Sequence, residues 1–263
     1  EMAEPTEALE AFRMVLEEAP EDRDTIEAVR EIGEGFEDLR LDAADILEPV
    51  LRNTSQFDML VTVMEMRLLA QHDVAERALT LRSIATVLHD SLHNTERALE
   101  ALLRALAETP EDTGLHDDIE RMAEAASNGF QQYADVLEER AGKTFDAALA
   151  TDLWKRLGRI CEQKLENDKR AVEALSRALD QAGDEPELLA SLDRLHSKLG
   201  NTRELNEILD RRVHVETTPE GQADLYHRIA VLQLESFDDK MTALENLRQA
   251  LDHVPTHEKA CDT

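Results

Sequence analysis

The chain has 263 residues, 42% hydrophobic and only 3% aromatic, with 58 Asp plus Glu against 29 Lys plus Arg, a net charge of −29. That balance argues against nucleic acid, and against insertion into or docking on an anionic membrane, because such partners are held through basic footprints and no apolar run reaches spanning length. Two cysteines far apart in the chain, Cys161 and Cys261, make no disulfide framework.

Taken in order, Pro5–Glu18 reads as an amphipathic helix, PTEALEAFRMVLEE, closed by Pro20. Its Ala8, Leu9, Leu16 and Pro20 align with Ala98, Leu99, Leu106 and Pro110, each displaced by 90. The chain therefore enters on the second helix of a pair, and an exposed apolar face is expected at that end. A first helix is expected over Thr25–Gly33, and Ser55–Ala70 matches the later second helices. Between them, LRLDAADILEPVLRNT (Leu39–Thr54) is a third apolar-periodic segment in which Pro49 should kink or restart the helix. It is either an inserted helix or part of an elongated pair.

From Asp73 onward the pattern is regular. Helices are expected near 74–91, 94–108, 112–126, 129–142, 147–165, 168–182, 186–199, 202–216, 219–236 and 239–253. Asn94-Thr95, Asn201-Thr202 and Thr218-Pro219 are N-cap stretches, and Gly142, Gly183 and Gly200 stand where helices should stop. No alternating β-branched run or Asn-Gly hairpin turn appears, so the chain reads as all-α.

Three second helices repeat: RALEALLRALAETP (97–110), RAVEALSRALDQAG (170–183) and TALENLRQALDHVP (242–255). Ala98, Ala171 and Ala243 are separated by 73 and 72, and the preceding helices align too, through Leu81, Trp154 and Tyr226, Ile84, Leu157 and Ile229, then Ala85, Gly158 and Ala230. The small residues of the last set suit close helix approach. Half of the period is visible as well, since ELNEILDRRV (204–213) matches QYADVLEERA (132–141), displaced by 72. Each block thus holds two helical hairpins of about 36 residues, stacked because one pair cannot bury its apolar face alone.

Trp154, Leu157 and Gly158, followed by Ala171, Leu175 and Ala178, resemble the tetratricopeptide pattern of aromatic, Leu-Gly, and later Ala, large apolar, Ala. The resemblance covers nearly the whole chain, most clearly Ala75–Pro255. It departs from the pattern at Cys161, where Tyr is usual, at an extra residue in the Glu166–Lys169 turn, and at Gly183 with Pro186 in place of the closing Pro. The resemblance implies an α-solenoid, a right-handed superhelix of stacked antiparallel helix pairs whose first helices line a concave face. On this reading the chain is one solenoid fragment: 1–20 a partial repeat, 21–72 an irregular unit with an extra helical segment, 73–145 and 146–217 double repeats, and 218–263 a truncated final repeat.

Motifs for chemistry are missing. Gly33-Glu-Gly35 is too short for a phosphate loop and no Gly-x-Ser-x-Gly elbow occurs. His89 and His93 are four apart, as one helical face would require, but no third ligand accompanies them, and a helix end suits them better. His253 and His257 flank Pro255, the His257 and Cys261 pair is alone, and Cys161 reads as a small buried apolar residue. No catalytic residue, metal or cofactor is assigned. Asn53-Thr-Ser55 fits a glycosylation sequon, a match expected by chance. No signal peptide is visible, a cytoplasmic setting is favoured, and the ends fall inside repeats as in an excised fragment.

A binding surface can be placed by register. Arg82, Lys155 and His227 correspond, as do Arg156 and Arg228, and Arg121 and Arg194, while Arg159 lies one turn after Lys155. Together they describe a basic ribbon on the inner face of an acidic protein, suited to an acidic or C-terminal carboxylate segment. The same cations can instead pair with neighbouring Glu and Asp. The expected function is a non-enzymatic scaffold for a protein or peptide partner, as a monomer or in weak end-to-end association. The alternatives are a structural or assembly module and the regulatory arm of a larger multidomain protein.

Overall fold

The computed structural model describes residues 5–263, and every regular element among them is helical. Contacts divide the chain into two units, Glu1–Val136 and Leu137–Thr263. The first holds α1 (Pro5–Glu18), α2 (Arg23–Gly35), α3 (Arg40–Asn53), α4 (Phe57–Ala70), α5 (Val74–Thr86), α6 (Thr95–Glu108) and α7 (Thr113–Ala125). Helix α8 (Gly129–Lys143) carries the chain from one unit into the other. The second holds α9 (Ala147–Gln163), α10 (Asp168–Ala182), α11 (Pro186–Leu199), α12 (Thr202–Val215), α13 (Pro219–Ser236), α14 (Lys240–His253) and the short α15 (Glu258–Asp262).

Much of the acidic excess sits where helices begin. Asp73 accepts from the Glu76 amide at 2.9 Å, Asp112 from Leu115 at 3.0 Å, and Asp146 from Ala148 and Leu149 at 2.9 and 3.1 Å. Asn94, Asn167 and Thr218 cap in the same way, at 3.1, 3.1 and 3.2 Å. Each satisfies an amide that the helix cannot, for about 1 kcal/mol, and a carboxylate also complements the positive helix end. Asn201 precedes α12 without a side-chain cap bond; its amide side chain lies 3.2 Å from His196 Nδ1 instead.

The turns inside the hairpins share one geometry. His93, Glu166 and Asp238 have φ of 53°, 51° and 51°, and they are separated by the repeat period. The next amide in each case reaches back six residues: Asn94 to Leu88 at 2.8 Å, Asn167 to Cys161 at 2.8 Å and Asp239 to Gln233 at 3.0 Å. This is a left-handed helix closure that satisfies an orphan carbonyl, built without glycine. Gly183 (φ 80°) and Gly200 (φ 69°) end α10 and α11 as expected, whereas Gly142 lies inside α8 and stops nothing. Helix α5 closes through a π turn, Val87–Ser91, that the sequence pattern gave no sign of. His93 therefore lies beyond the helix, and the His89–His93 spacing does not share one helical face.

In the irregular region, α3 is a separate helix between α2 and α4, entered through a 3-10 turn at Glu37–Leu39. Ser55, with φ 56°, introduces α4 as Asn128, with φ 54°, introduces α8, 73 residues later. Helix α4 thus takes a second-helix place with α3 packed on it, and the region holds one helix more than a regular pair. Pro49 does not restart α3, which runs unbroken to Asn53. It lies on the exposed side of the helix. Gly33 marks the junction: a Cβ there would stand 2.7 Å from Met66 Sδ and 2.8 Å from Ala43 Cβ, so α2, α3 and α4 meet at a point only glycine fits. Leu60, Val61, Val63, Met64, Met66 and Leu68 of α4 are all buried. At about 100° per residue they cover more than half the helix circumference, as a helix packed on several neighbours requires.

Hairpins pack pairwise, α5 on α6 in the first unit, and α9 on α10, α11 on α12 and α13 on α14 in the second. The aligned positions are buried, Leu81, Ile84 and Ala85, then Trp154, Leu157 and Gly158, then Ile229 and Ala230, except Tyr226, which is half-buried. Gly158 has a strict role: an added Cβ would sit 2.6 Å from Leu175 Cγ and Cδ2. At the beginning, α1 buries only Leu9 and Leu16. Where α6 buries Ala101, Leu102 and Ala105, the matching Ala11, Phe12 and Val15 of α1 are exposed or half-buried, and Met14 is 69% exposed.

Candidate functional site

The cationic positions fall on first helices in both units. In the first, Arg82 of α5 reaches across to α7 and its cap: Nη1 donates to Asp112 at 2.9 Å and Nη2 to Asp118 at 2.8 Å. Arg121, exposed on α7, donates to the other oxygen of Asp118 at 2.7 Å. Two guanidinium groups thus flank one carboxylate. They border a small open pocket of about 210 Å³ between α5 and α7, whose mouth is shared by His89 and Asp90 of the π turn and whose base is Leu102 and Met122. π turns re-aim side chains that a continuous helix would point elsewhere, and they recur at functional sites.

In the second unit, Lys155 Nζ donates to Glu185 at 2.5 Å. Lys155 follows Arg82 by 73 residues and Glu185 follows Asp112 by the same 73, so the pair itself repeats. Arg156 is half-buried and Arg159 exposed on the same helix. Arg194 of α11 grips Glu162 of α9 with both terminal nitrogens, one of them at 2.9 Å. The Arg194 hydrogen bond is the main reason that the Glu162 carboxyl is held below its ordinary pKa. Lys198 joins α11 to Asp168 of α10 at 2.9 Å.

The most enclosed charge in the second unit is Asp193, 4% exposed on α11. Arg228 of α13 donates to it twice, at 2.7 and 2.6 Å, and Arg212 of α12 donates to the same carboxylate. Burial alone would raise the Asp193 pKa, but the Arg228 hydrogen bonds and the two nearby positive charges outweigh it, so the net direction is down. His227 is half-buried, its Nε2 3.0 Å from Thr263 Oγ1 and its ring 5.9 Å from that of His257. Burial, then the charges of His257 and Lys259, push its pKa below the usual imidazole value.

Of the sequence-predicted residues, Arg82 and Arg121 meet on one carboxylate, whereas Arg228 shares Asp193 with Arg212, which the register did not single out, and Lys155 and Arg194 each pair with a separate acid. The residues that sequence reasoning missed are the acids that hold them, Asp112, Asp118, Glu162, Glu185 and Asp193. The recurrence of an acid 30 residues after Arg82 and after Lys155 was the available signal. Chemically these clusters offer hydrogen-bond donors for carboxylates, beside acceptors already engaged. Among the described residues, no three His, Cys, Asp or Glu side chains assemble as a metal site, and no helix is long and apolar enough to cross a membrane.

No family model matches this sequence, and no curated protein does. Among solved structures the chain is similar to YrrB, described as a TPR protein with an unusual peptide-binding site, at 23% identity over 72% of this chain and 92% of that one, TM-score 0.39. It is similar to the C-terminal part of a TPR repeat-containing protein from Cytophaga hutchinsonii at 12% identity, covering 96% of this chain and 98% of that one, TM-score 0.40. A further similarity is to the TPR2AB domain of yeast Sti1 in complex with pHSP90, at 14% identity over 97% of this chain and 92% of that one, TM-score 0.31. The helix pairs, their period and their buried positions in this chain resemble the tetratricopeptide pattern, in an all-α fold.

Proposed function

We propose that this chain is a non-enzymatic protein-interaction scaffold that holds an extended acidic segment of a partner against its first helices. The observation that carries the reading is the open pocket between α5 and α7, where Arg82 and Arg121 flank one carboxylate above an apolar base. An incoming carboxylate finds donors there already arranged at bonding distance, and it exchanges with Asp118 rather than ordering a new site. Arg121 and Arg194, 71% and 57% exposed, are open to a ligand from solvent, although Glu162 competes for Arg194. Titration of a labelled Asp/Glu-rich peptide into the wild type and into an Arg121→Glu, Lys155→Glu, Arg194→Glu variant tests the reading. Binding that weakens about tenfold or more supports it, and binding that persists in the variant sinks it.

A structural or assembly role is the second reading, favoured by the uncovered α1 positions Met14 and Val15. Sedimentation separates the two: concentration-dependent oligomers lost on Met14→Glu favour assembly, and a monomer at all concentrations favours the scaffold.

A further inference from the structure

Apart from the pocket between α5 and α7, the first unit has a second concavity, a groove of about 720 Å³ between α1 and α3. Its floor is apolar. The half-buried Ile46 and Val50 of α3 form it above the buried Leu9 and Leu16 of α1, and the exposed Pro20 and Pro49 close its flanks. Its rim is acidic: Glu10 and Glu17 along α1, Asp42 and Asp45 along α3. Among the described residues Arg13 is the one cation lining it, and it stands 3.9 Å from Glu10 and 3.7 Å from Glu17, too far for strong bonds. Asp45 is 65% exposed although Arg67 approaches it from α4 at 2.5 Å. Among the described residues the ratio of acids to cations lining the groove is four to one, against two to one for the chain as a whole, 58 to 29. The acidity is thus concentrated on the two walls of an apolar trough.

We propose that the α1–α3 groove docks a basic amphipathic helix of a partner protein. Its apolar stripe covers Ile46, Val50, Pro20 and Pro49, and Lys or Arg side chains on both edges of that stripe meet Glu10 and Glu17 on one wall and Asp42 and Asp45 on the other. An apolar stripe flanked by cations is the pattern of a helix seated in a groove, where burial supplies affinity and the rim charges supply orientation and rate. The surface is separate from the first-helix face and has the opposite preference, for cationic rather than acidic ligands.

The test is fluorescence anisotropy on the full chain with a labelled Leu/Lys peptide patterned for an amphipathic helix, beside a peptide of the same composition in scrambled order. The patterned peptide is expected to bind about tenfold or more tightly than the scrambled one. Glu10→Lys with Asp42→Lys, both exposed positions, should weaken it by about tenfold or more, while Glu111→Lys with Asp117→Lys, an exposed acidic pair elsewhere in the unit, should leave it within about twofold. Unchanged circular dichroism would show that each variant folds. Equal binding of the scrambled peptide, equal weakening by both double variants, or wild-type binding by Glu10→Lys with Asp42→Lys would each overturn the proposal.

Discussion

Replacing Asp193 by Ala tests whether consecutive hairpins of the second unit hold one another. The carboxylate ties three helices: it lies on α11, accepts two hydrogen bonds from Arg228 of α13 at 2.7 and 2.6 Å, and accepts another from Arg212 of α12. Bonds to charged groups contribute roughly 1.5–3 kcal/mol each before the cost of desolvating the carboxylate is subtracted. Removing one partner of a fully buried pair costs about 3–5 kcal/mol because the other charge is stranded. Here the side chains of Arg212 and Arg228 are 25% and 44% exposed and can return to water, so the loss should be smaller, about 2–3 kcal/mol. Asp193→Asn, which keeps an acceptor oxygen but no charge, should cost about half of that. The pH dependence has a definite sign. A carboxyl with a depressed folded pKa stabilises fully above its unfolded value and loses that contribution as pH falls through the folded value. The gap between wild type and Asp193→Asn should therefore narrow only below the ordinary Asp value of 3.8. Urea denaturation followed by far-ultraviolet circular dichroism and by Trp154 fluorescence reads all three. An Asp193→Ala variant within about 0.5 kcal/mol of wild type would refute the reasoning.

Gly129→Ala should cost about 2–3 kcal/mol, since the new Cβ would stand 2.5 Å from the Ala123 carbonyl oxygen and 2.6 Å from its Cα, and backbone cannot give way. Gly142→Ala in the same helix meets nothing within 4 Å and should stabilise by about 0.5–1 kcal/mol; denaturation midpoints of the two variants should move in opposite directions. Glu166→Gly should stabilise by roughly 0.5–1 kcal/mol, because Glu166 is held at φ 51° at a closure glycine adopts without strain. His196 is buried and burial lowers its pKa, so its contribution is complete above the ordinary value of 6.5 and declines as pH falls from there toward the folded value. His196→Gln should flatten that slope in melts taken across the window.

The regular part of the fold was legible because its period is carried by small and apolar residues that only packing selects. The expected 94–108, 168–182 and 186–199 are observed as Thr95–Glu108, Asp168–Ala182 and Pro186–Leu199. Ala85 and Ala230 are buried, and Gly158 lies against Leu175 as close approach demands. The hairpin closures were not legible as a motif. The left-handed residue is His, Glu or Asp where glycine is the usual sign, so its identity differs while its geometry repeats. Pro49 misled because a lost hydrogen bond and a ring clash disfavour proline inside a helix, yet on the exposed side of α3 the packed face carries the helix through it. The cations of the candidate site were found from their register. Their acid partners were hidden by the abundance of carboxylates, since in a chain with 58 acids no single one stands out until Asp112, Glu185 and Asp193 are seen against their arginines and lysine.

The central claim is that cohesion comes from adjacent helix pairs. Native-state hydrogen exchange of wild type and Asp193→Ala, read helix by helix, tests it most directly. Local stacking predicts that protection falls in α11, α12 and α13, where the Asp193 contacts lie, and that α5 and α6 keep wild-type protection. A uniform loss of protection through every helix would mean that the chain shares one cooperative core, and it would contradict the account.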